Sequence, residues 1–252
     1  MIRHDVTING IGVAAAYSEG EVSGIFLPLL RKLKEQQKSK GRRILAMLAA
    51  PPGAGKSTLV SFLDRLAREH TESSPIQTIG MDGFHRRQEY LLSHSVLRDG
   101  KEVRMVDIKG APVTFDLDKL TESVKRAAAG EKCGWPVYDR LLHNPTEDAV
   151  TIDSDIVLLE GNYLLLDEEG WRELGAYADY TVSVSADDAF LRSRLIDRRI
   201  KTGVEREAAI RFVDFSDMPN VRTCLTKTRP ADLELTVDND GNYHIRRGEL
   251  EP

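Results

Sequence analysis

The sequence predicts an α/β protein in which helices cover both faces of a mostly parallel central sheet, giving three α/β/α layers. Apolar runs of strand length alternate with helix-patterned segments between about residues 42 and 240. Three of these runs end in residues suited to phosphate chemistry: a glycine-rich turn, Asp82 and Glu160. Because ligands bind beyond the carboxyl ends of parallel strands, this convergence predicts a single active site.

Composition narrows the class of protein. The chain has 252 residues, of which 41% are hydrophobic and 30% charged, and its formal charge is −5. One substantial core is therefore expected, and a nucleic-acid coat or a polybasic membrane anchor is disfavoured. No apolar run approaches the ~20 residues of a membrane span, and the N-terminus has no signal-peptide pattern. Cys133 and Cys224 are too few for a disulfide framework or a zinc site. We expect a cytoplasmic protein without nucleic-acid or membrane partners.

The first elements surround the glycine-rich turn. Residues 1–41 are expected to form an N-terminal helical extension, weakly patterned to about Gly20 and helical from Glu21 to Lys40. The continuous apolar run Arg43 to Ala49 predicts a buried strand, and the run after the turn predicts a helix to about His70.

The second strand, Ile76 to Met81, begins after Pro75, which breaks the preceding segment. Arg86 to Arg98 has a helical pattern. Residues 99–115 are expected to be an insertion rich in loops, and Asp116 to Ala129 a helix closed by Gly130.

The second half continues the alternation. Residues 133–150 form a second loop-rich insertion, and the short apolar run Asp155 to Leu159 predicts a strand. Tyr180 to Ser185 follows as a strand, and residues 187–206 as a basic helical lid. The remaining elements are predicted as a helix over 204–225, a last strand over 232–237, and a polar C-terminal tail over 241–252.

The glycine-rich turn is Pro51-Pro52-Gly53-Ala54-Gly55-Lys56-Ser57-Thr58, a P-loop between a strand and a helix. Such a turn presents backbone N–H groups to phosphates at a helix N-terminus. Lys56 would reach the β and γ phosphates, Ser57 would ligate Mg²⁺, and the Thr58 hydroxyl would contact the α and β phosphates. Ala50 replaces the first glycine of the pattern. The predicted ATP-binding residues are Pro52, Gly53, Ala54, Gly55, Lys56, Ser57 and Thr58.

Two acidic residues at strand ends are candidates for chemistry. Glu160 follows the apolar run Ile156 to Leu159, and a carboxylate at the end of such a strand could hold Mg²⁺ together with Ser57. The alternative is a surface acid at a strand terminus. Asp82 precedes a glycine, and a carboxylate there could accept the proton of an acceptor hydroxyl. The alternative for Asp82 is an ordinary Asp-Gly turn.

The basic helix carries Arg194, Arg198 and Lys201 on one stripe, at i, i+4 and i+7. These side chains could neutralise phosphates when a lid closes, or they could form a solvated face balanced by Asp187, Asp188 and Asp197.

Together these residues resemble the uridine kinase, phosphoribulokinase and bacterial pantothenate kinase group of P-loop kinases, from about Arg42 to Val237. The segment Met81 to His85 is similar to the catalytic aspartate segment of that group, and Gly110 to Asp116 to the segment before its next helix. Tyr138 to His143 is similar to the substrate-side tract of uridine kinases.

Within this group, the sequence motifs are most similar to those of a bacterial branch labelled nucleoside/nucleotide kinase or fructose-transport-system kinase. Its motifs are matched by three segments, Glu160 to Leu165, Met218 to Asn220 and Thr228 to Leu233.

The resemblance implies an ATP- and Mg²⁺-dependent kinase that phosphorylates a hydroxyl of a sugar, a nucleoside or a pantothenate-like metabolite. Asp82, Lys56, Arg194 and Arg198 would be catalytic, and Ser57 and Glu160 would hold the metal. The acceptor would meet His85, Tyr138, Arg140, His143 and Asn220. A homodimer is left open.

Two other functions fit the sequence. One is a nucleotide-gated regulatory protein without a small-molecule acceptor. The other is a nucleoside monophosphate kinase, which would need a second phosphate site; Arg86, Arg87 and Arg140 are the candidates.

Overall fold

A computed structural model describes residues 1–8, 10–70 and 74–250 of the chain. Twelve strands lie in these ranges, in chain order: β1 (Ile2–Ile8), β2 (Ile11–Tyr17), β3 (Ile44–Ala49), β4 (Gln77–Gly80), β5 (Ser95–Arg98), β6 (Lys101–Arg104), β7 (Cys133–Asp139), β8 (Asn144–Ile152), β9 (Ile156–Gly161), β10 (Tyr180–Ala186), β11 (Leu233–Val237) and β12 (Tyr243–Arg247).

The helices of the described ranges include α1 (Glu19–Glu21), α2 (Leu27–Lys40), α3 (Lys56–Glu69), α4 (Gln88–Ser93), α5 (Leu117–Ala128), α6 (Asp188–Lys201), α7 (Arg206–Phe212) and α8 (Met218–Lys227). Two π-helical segments, Val22–Phe26 and Val213–Asp217, connect α1 to α2 and α7 to α8.

The central sheet has six strands in the order β12-β11-β10-β3-β9-β4. All neighbours are parallel except β12, which runs antiparallel to β11. Every residue of β3 is buried, because helices cover the sheet on both faces. One core contains Phe62 of α3, and the other contains Trp135 of β7. The predicted three-layer fold is confirmed.

The parallel order brings the ends of three strands together. β9 lies between β3 and β4, so the turn after β3, the end of β9 and the turn after β4 are neighbours at one edge. These are the places of the P-loop, Glu160 and Asp82. The sheet order therefore brings together the three strand ends from which an active site was predicted.

The prediction of a helical extension over residues 1–41 is wrong for its first part. β1 and β2 form an antiparallel hairpin, with Ile2 paired to Tyr17 and Ile8 to Ile11. Apolar residues alternate with polar ones along β1, and Asn9-Gly10 is a dipeptide that favours hairpin turns. Both signals were present in the sequence, but the pattern is short.

Other differences have similar causes. The helix predicted over 86–98 ends at Ser93, and β5 pairs with β6 around Asp99-Gly100, whose φ angles of 52° and 73° suit a tight hairpin turn. The insertion over 133–150 is a hairpin of β7 and β8, with an irregular register around Pro136.

The expected polar tail contains β12. Tyr243 is buried, and β12 extends the central sheet by one edge strand. None of the helices in the described part of the chain is long and apolar enough to span a membrane.

Candidate active site

The P-loop fills the turn between β3 and α3. Gly53 and Gly55 adopt positive φ angles of 86° and 89°, a region that favours glycine. A Cβ on Gly53 would lie 3.2 Å from the carbonyl oxygen of Leu191 and 3.1 Å from Cγ of Leu195, both on α6. The two glycines therefore permit both the turn and the close approach of α6.

Ala50 does not share this requirement. The residues other than glycine that have positive φ in the described ranges are Asp99, His143 and Asp148. The Ala50 N–H donates to the carbonyl of Gly161 at 3.1 Å, and its methyl group is buried in the core. An alanine is thus compatible with the backbone at the start of this turn.

Ser57 and Glu160 meet across the strand ends. The Ser57 hydroxyl donates to Oε1 of Glu160 at 2.9 Å, while Oε2 of Glu160 is buried without a hydrogen-bond partner. Burial raises the pKa of Glu160, opposed by Lys56 and by the bond from Ser57. One carboxylate, one hydroxyl and an unused buried oxygen fit Mg²⁺, which takes its other ligands from water and phosphates.

Asp82 lies in the 3₁₀ turn Met81–Phe84 directly after β4. Its side chain is 43% exposed, and Nη2 of Arg140 lies 3.7 Å from its Oδ2. Burial alone would raise the pKa of Asp82, but His85, Lys56, Arg140 and Arg198 outweigh it and lower that pKa below its ordinary value. The carboxylate is therefore ionised at neutral pH and can accept a proton.

A second group of side chains lies beside Asp82. His85 Nδ1 is 2.8 Å from the Asp82 carbonyl, and its ring packs on Phe115 and faces Tyr138, with centroids 4.0 and 5.2 Å away. Burial lowers the pKa of His85, so its imidazole is neutral at neutral pH. Lys109 donates to the Tyr138 hydroxyl at 2.5 Å.

Lys109 was not predicted from the sequence. Its ammonium also donates to Oε1 of Gln88 at 3.0 Å and to the carbonyl of His143 at 3.2 Å. Burial and the charge of Arg140 lower the pKa of Lys109 to about 8. Lys109 directly precedes Gly110 to Asp116, a segment that is similar to one in the kinase group. That position could have indicated Lys109 as a candidate site residue.

Helix α6 closes the site from the other side. Arg194 and Arg198 line a cavity of about 550 Å³ together with P-loop residues, Asp82 and Arg140. Burial lowers the pKa of Arg198, against the attraction of Asp217 and Asp82. The cavity is also lined by residues that sequence reasoning had not selected: Ile8, Gly12, Val13, Ala14, Arg199 and Thr202.

Two predicted acceptor residues are placed differently. Asn220 is buried in α8 and donates to the carbonyl of Ser216 at 3.1 Å; a Cβ on Gly110 would lie 3.6 Å from its Nδ2. Asn220 is not among the residues that line the cavity. His143 is exposed at a positive φ of 52°, and its bond to Lys109 uses its carbonyl.

Comparison with known proteins identifies a matching family and similar sequences. A family model described as "Phosphoribulokinase / Uridine kinase family" matches residues 45–238. "Uncharacterized protein YggC" of Escherichia coli is 40% identical over 245 residues, which cover 97% of this chain and 99% of that protein. A Schizosaccharomyces pombe protein named "Putative uridine kinase C227.14" is 32% identical over 196 residues, covering 75% and 79% of the two chains.

A solved structure has the same fold. It is described as a "putative fructose transport system kinase" from Silicibacter sp. TM1040, with a TM-score of 0.71 and 29% sequence identity. The match covers 82% of this chain and 98% of that one.

Proposed function

This chain belongs to the phosphoribulokinase/uridine kinase family of P-loop kinases, and on that premise we propose that it transfers the γ-phosphoryl group of ATP to a hydroxyl of a small metabolite. The observation that carries the proposal is the shared cavity: Asp82 faces the same space of about 550 Å³ as Gly53, Lys56 and Ser57. A carboxylate beside a phosphate cradle suits the activation of an acceptor hydroxyl.

Each group has one role in the proposal. The P-loop N–H groups and Lys56 hold the triphosphate, and Ser57 and Glu160 hold Mg²⁺, which would neutralise charge that develops on the phosphates. Asp82 accepts the proton of the attacking hydroxyl. Arg194 and Arg198 stabilise the transferring group from α6.

The acceptor pocket is proposed around His85, Tyr138, Arg140, His143 and Lys109. The oxygen partners of Lys109 are all neutral, so its charge lacks a carboxylate in the contacts described. Arg140 faces Asp82, whose carboxylate the acceptor hydroxyl must engage. Arg140 beside the base and Lys109 beside Tyr138 are two cations that favour an acceptor with its own negative group. We therefore expect a hydroxyl compound carrying a carboxylate or a phosphate.

The nucleoside monophosphate kinase alternative has weaker support. Of its three candidate phosphate ligands, Arg140 lines the cavity. Arg86 stacks over the ring of Tyr90 at 4.7 Å, and Arg87 lies 3.6 Å from the carboxylate of Glu89. Both thus have partners within the protein.

ADP release by the Mg²⁺-supplied protein tests the proposal against the regulatory alternative. Glycerol, ribose and glucose would each be offered as the neutral compound, as the carboxylate and as the phosphate ester. The proposal predicts acceptor-stimulated ADP release that favours one anionic form over its neutral counterpart. A regulatory protein would bind ATP, but no acceptor would stimulate its ADP release. Preference for the neutral forms would contradict only the expected class of acceptor and not the kinase activity.

A further inference from the structure

The N-terminal hairpin of β1 and β2 lies outside the segment that the family model matches, which begins at residue 45. Its strands pair with each other and are not part of the central sheet. Nevertheless, Ile8, Gly12, Val13 and Ala14 line the same cavity as the P-loop. The hairpin thus contributes to the site from outside the segment that carries the kinase motifs.

The base of the hairpin is fixed on the P-loop helix α3. His4 Nε2 lies 3.1 Å from Oγ of Ser61, and Tyr17 stacks on Phe62 with ring centroids 4.2 Å apart. Arg65 donates to the carbonyl of Arg3 at 2.8 Å. These contacts bury aromatic surface and hold the hairpin in one position relative to the phosphate-binding turn.

A second anchor joins the hairpin to the C-terminal strand. Ser18 and Glu21, which follow β2, form a reciprocal capping box at the start of α1. Oε1 of Glu21 accepts the backbone N–H of Tyr243 at 2.8 Å. The Tyr243 hydroxyl would lie 3.7 Å from a Cβ placed on Gly55. The segment after the hairpin is therefore bonded through Glu21 to β12, and the Tyr243 hydroxyl of β12 lies close to the P-loop.

The order of residues along α3 gives the direction of the nucleotide. In the proposed ATP site Lys56 would hold the β and γ phosphates and Thr58 would contact the α and β phosphates, so the nucleoside would leave the P-loop on the Thr58 side. Ser61, which contacts His4, follows Thr58 by one helical turn. Asp82 marks the γ end, where the acceptor reacts. The hairpin consequently lies at the nucleoside end of the cavity.

We propose that the hairpin is the nucleoside wall of the ATP site, where Ile8, Gly12 and Val13 pack against the base and ribose of the bound nucleotide. The chemistry fits because these residues present apolar surface, whereas α6 presents Arg194 and Arg198 to the phosphates. The inference rests on the proposed function, since it requires ATP at the P-loop.

Binding measurements separate the base from the phosphates. Calorimetry would compare MgATP with magnesium tripolyphosphate, which lacks the nucleoside, for the wild type, Gly12→Trp and Val13→Gln. A Cβ on Gly12 meets no atom within 4 Å, so the substituted side chain would begin in open space. Ala16→Gln is the matched control, because Ala16 is exposed on the same hairpin and outside the cavity. Circular dichroism would verify that each variant is folded.

The proposal predicts that Gly12→Trp and Val13→Gln each raise the Kd for ATP by at least ~10-fold, with the Kd for tripolyphosphate unchanged and with both Kd values unchanged in Ala16→Gln. Unchanged ATP affinity in both variants would overturn it, as would equal weakening of ATP and tripolyphosphate. If the wild type itself bound no ATP, the proposed function would fail as well, so the two failures are distinguishable.

Discussion

The hydroxyl of Ser57 donates to Oε1 of Glu160 across 2.9 Å, joining the first turn of the P-loop helix to the end of the neighbouring strand β9. The other oxygen of Glu160 is buried and has no hydrogen-bond partner. An unpaired buried carboxylate oxygen is costly unless a cation or a hydrogen-bond donor binds it, which supports our proposal that the pair holds Mg²⁺.

Glu160→Gln is expected to weaken Mg²⁺ binding without unfolding the protein, because the amide keeps the shape of the carboxylate but not its charge. The Mg²⁺ concentration that gives half-maximal ADP release should rise at least ~10-fold. Glu173→Gln, an exposed residue on another segment, is the control. An unchanged Mg²⁺ dependence in Glu160→Gln would remove Glu160 from the metal site.

Lys109→Met should raise the acceptor KM by about 10-fold or more while leaving the ATP KM nearly unchanged, since the lost charge faces Tyr138 and not the P-loop. Lys109→Arg should restore part of the acceptor affinity by restoring charge. The exposed Lys125, changed to Met, is the control. If ATP and acceptor KM rose together in Lys109→Met, Lys109 would act on the fold and not on the acceptor.

The pH profile gives an independent test of Lys109. Its pKa is lowered to about 8, so the ammonium is charged below that pH and neutral above it. An anionic acceptor needs the charged form, and kcat/KM for the acceptor should therefore fall as pH rises through about 8. In Lys109→Arg this alkaline decline should shift upward, because arginine stays protonated. The same alkaline decline in the arginine variant would assign the titration to another group.

Ala50→Gly tests the one departure from the P-loop pattern. Because Ala50 lies outside the positive-φ region and its methyl is buried, the glycine should lower the free energy of unfolding by roughly 1 to 2 kcal/mol. ATP affinity should not improve. Urea denaturation and calorimetry measure the two effects, and a large gain in ATP affinity would show that the usual glycine serves phosphate binding.

Much of the fold was readable from the sequence because its signals are long or unambiguous. The buried run of β3 and the glycine-rich turn placed the P-loop, and the alternation of elements gave the parallel sheet. The structures of the two insertions and of the N-terminal extension were predicted less accurately. Their hairpins are short, and Pro136 within β7 resembles a loop residue until the irregular pairing that accommodates it is known.

The site was predictable only where motifs carry it. The sequence indicated Asp82 and Glu160 as strand-end acids, but it could not show that Lys109 contacts Tyr138, a residue 29 positions away. Nor could it show that Val13 reaches the cavity, since that depends on how the hairpin docks on α3. Such contacts follow from tertiary packing, which no local pattern encodes.

We propose that Asp82 activates the acceptor hydroxyl beside a bound ATP. Single-turnover measurement of phosphoryl transfer, with saturating MgATP and the best acceptor of the anionic series, would compare the wild type with Asp82→Asn. The transfer rate of Asp82→Asn should be lower by ~10²- to 10⁴-fold with ATP affinity retained, because the amide cannot accept the proton. A transfer rate equal to that of the wild type would show that Asp82 is not the base.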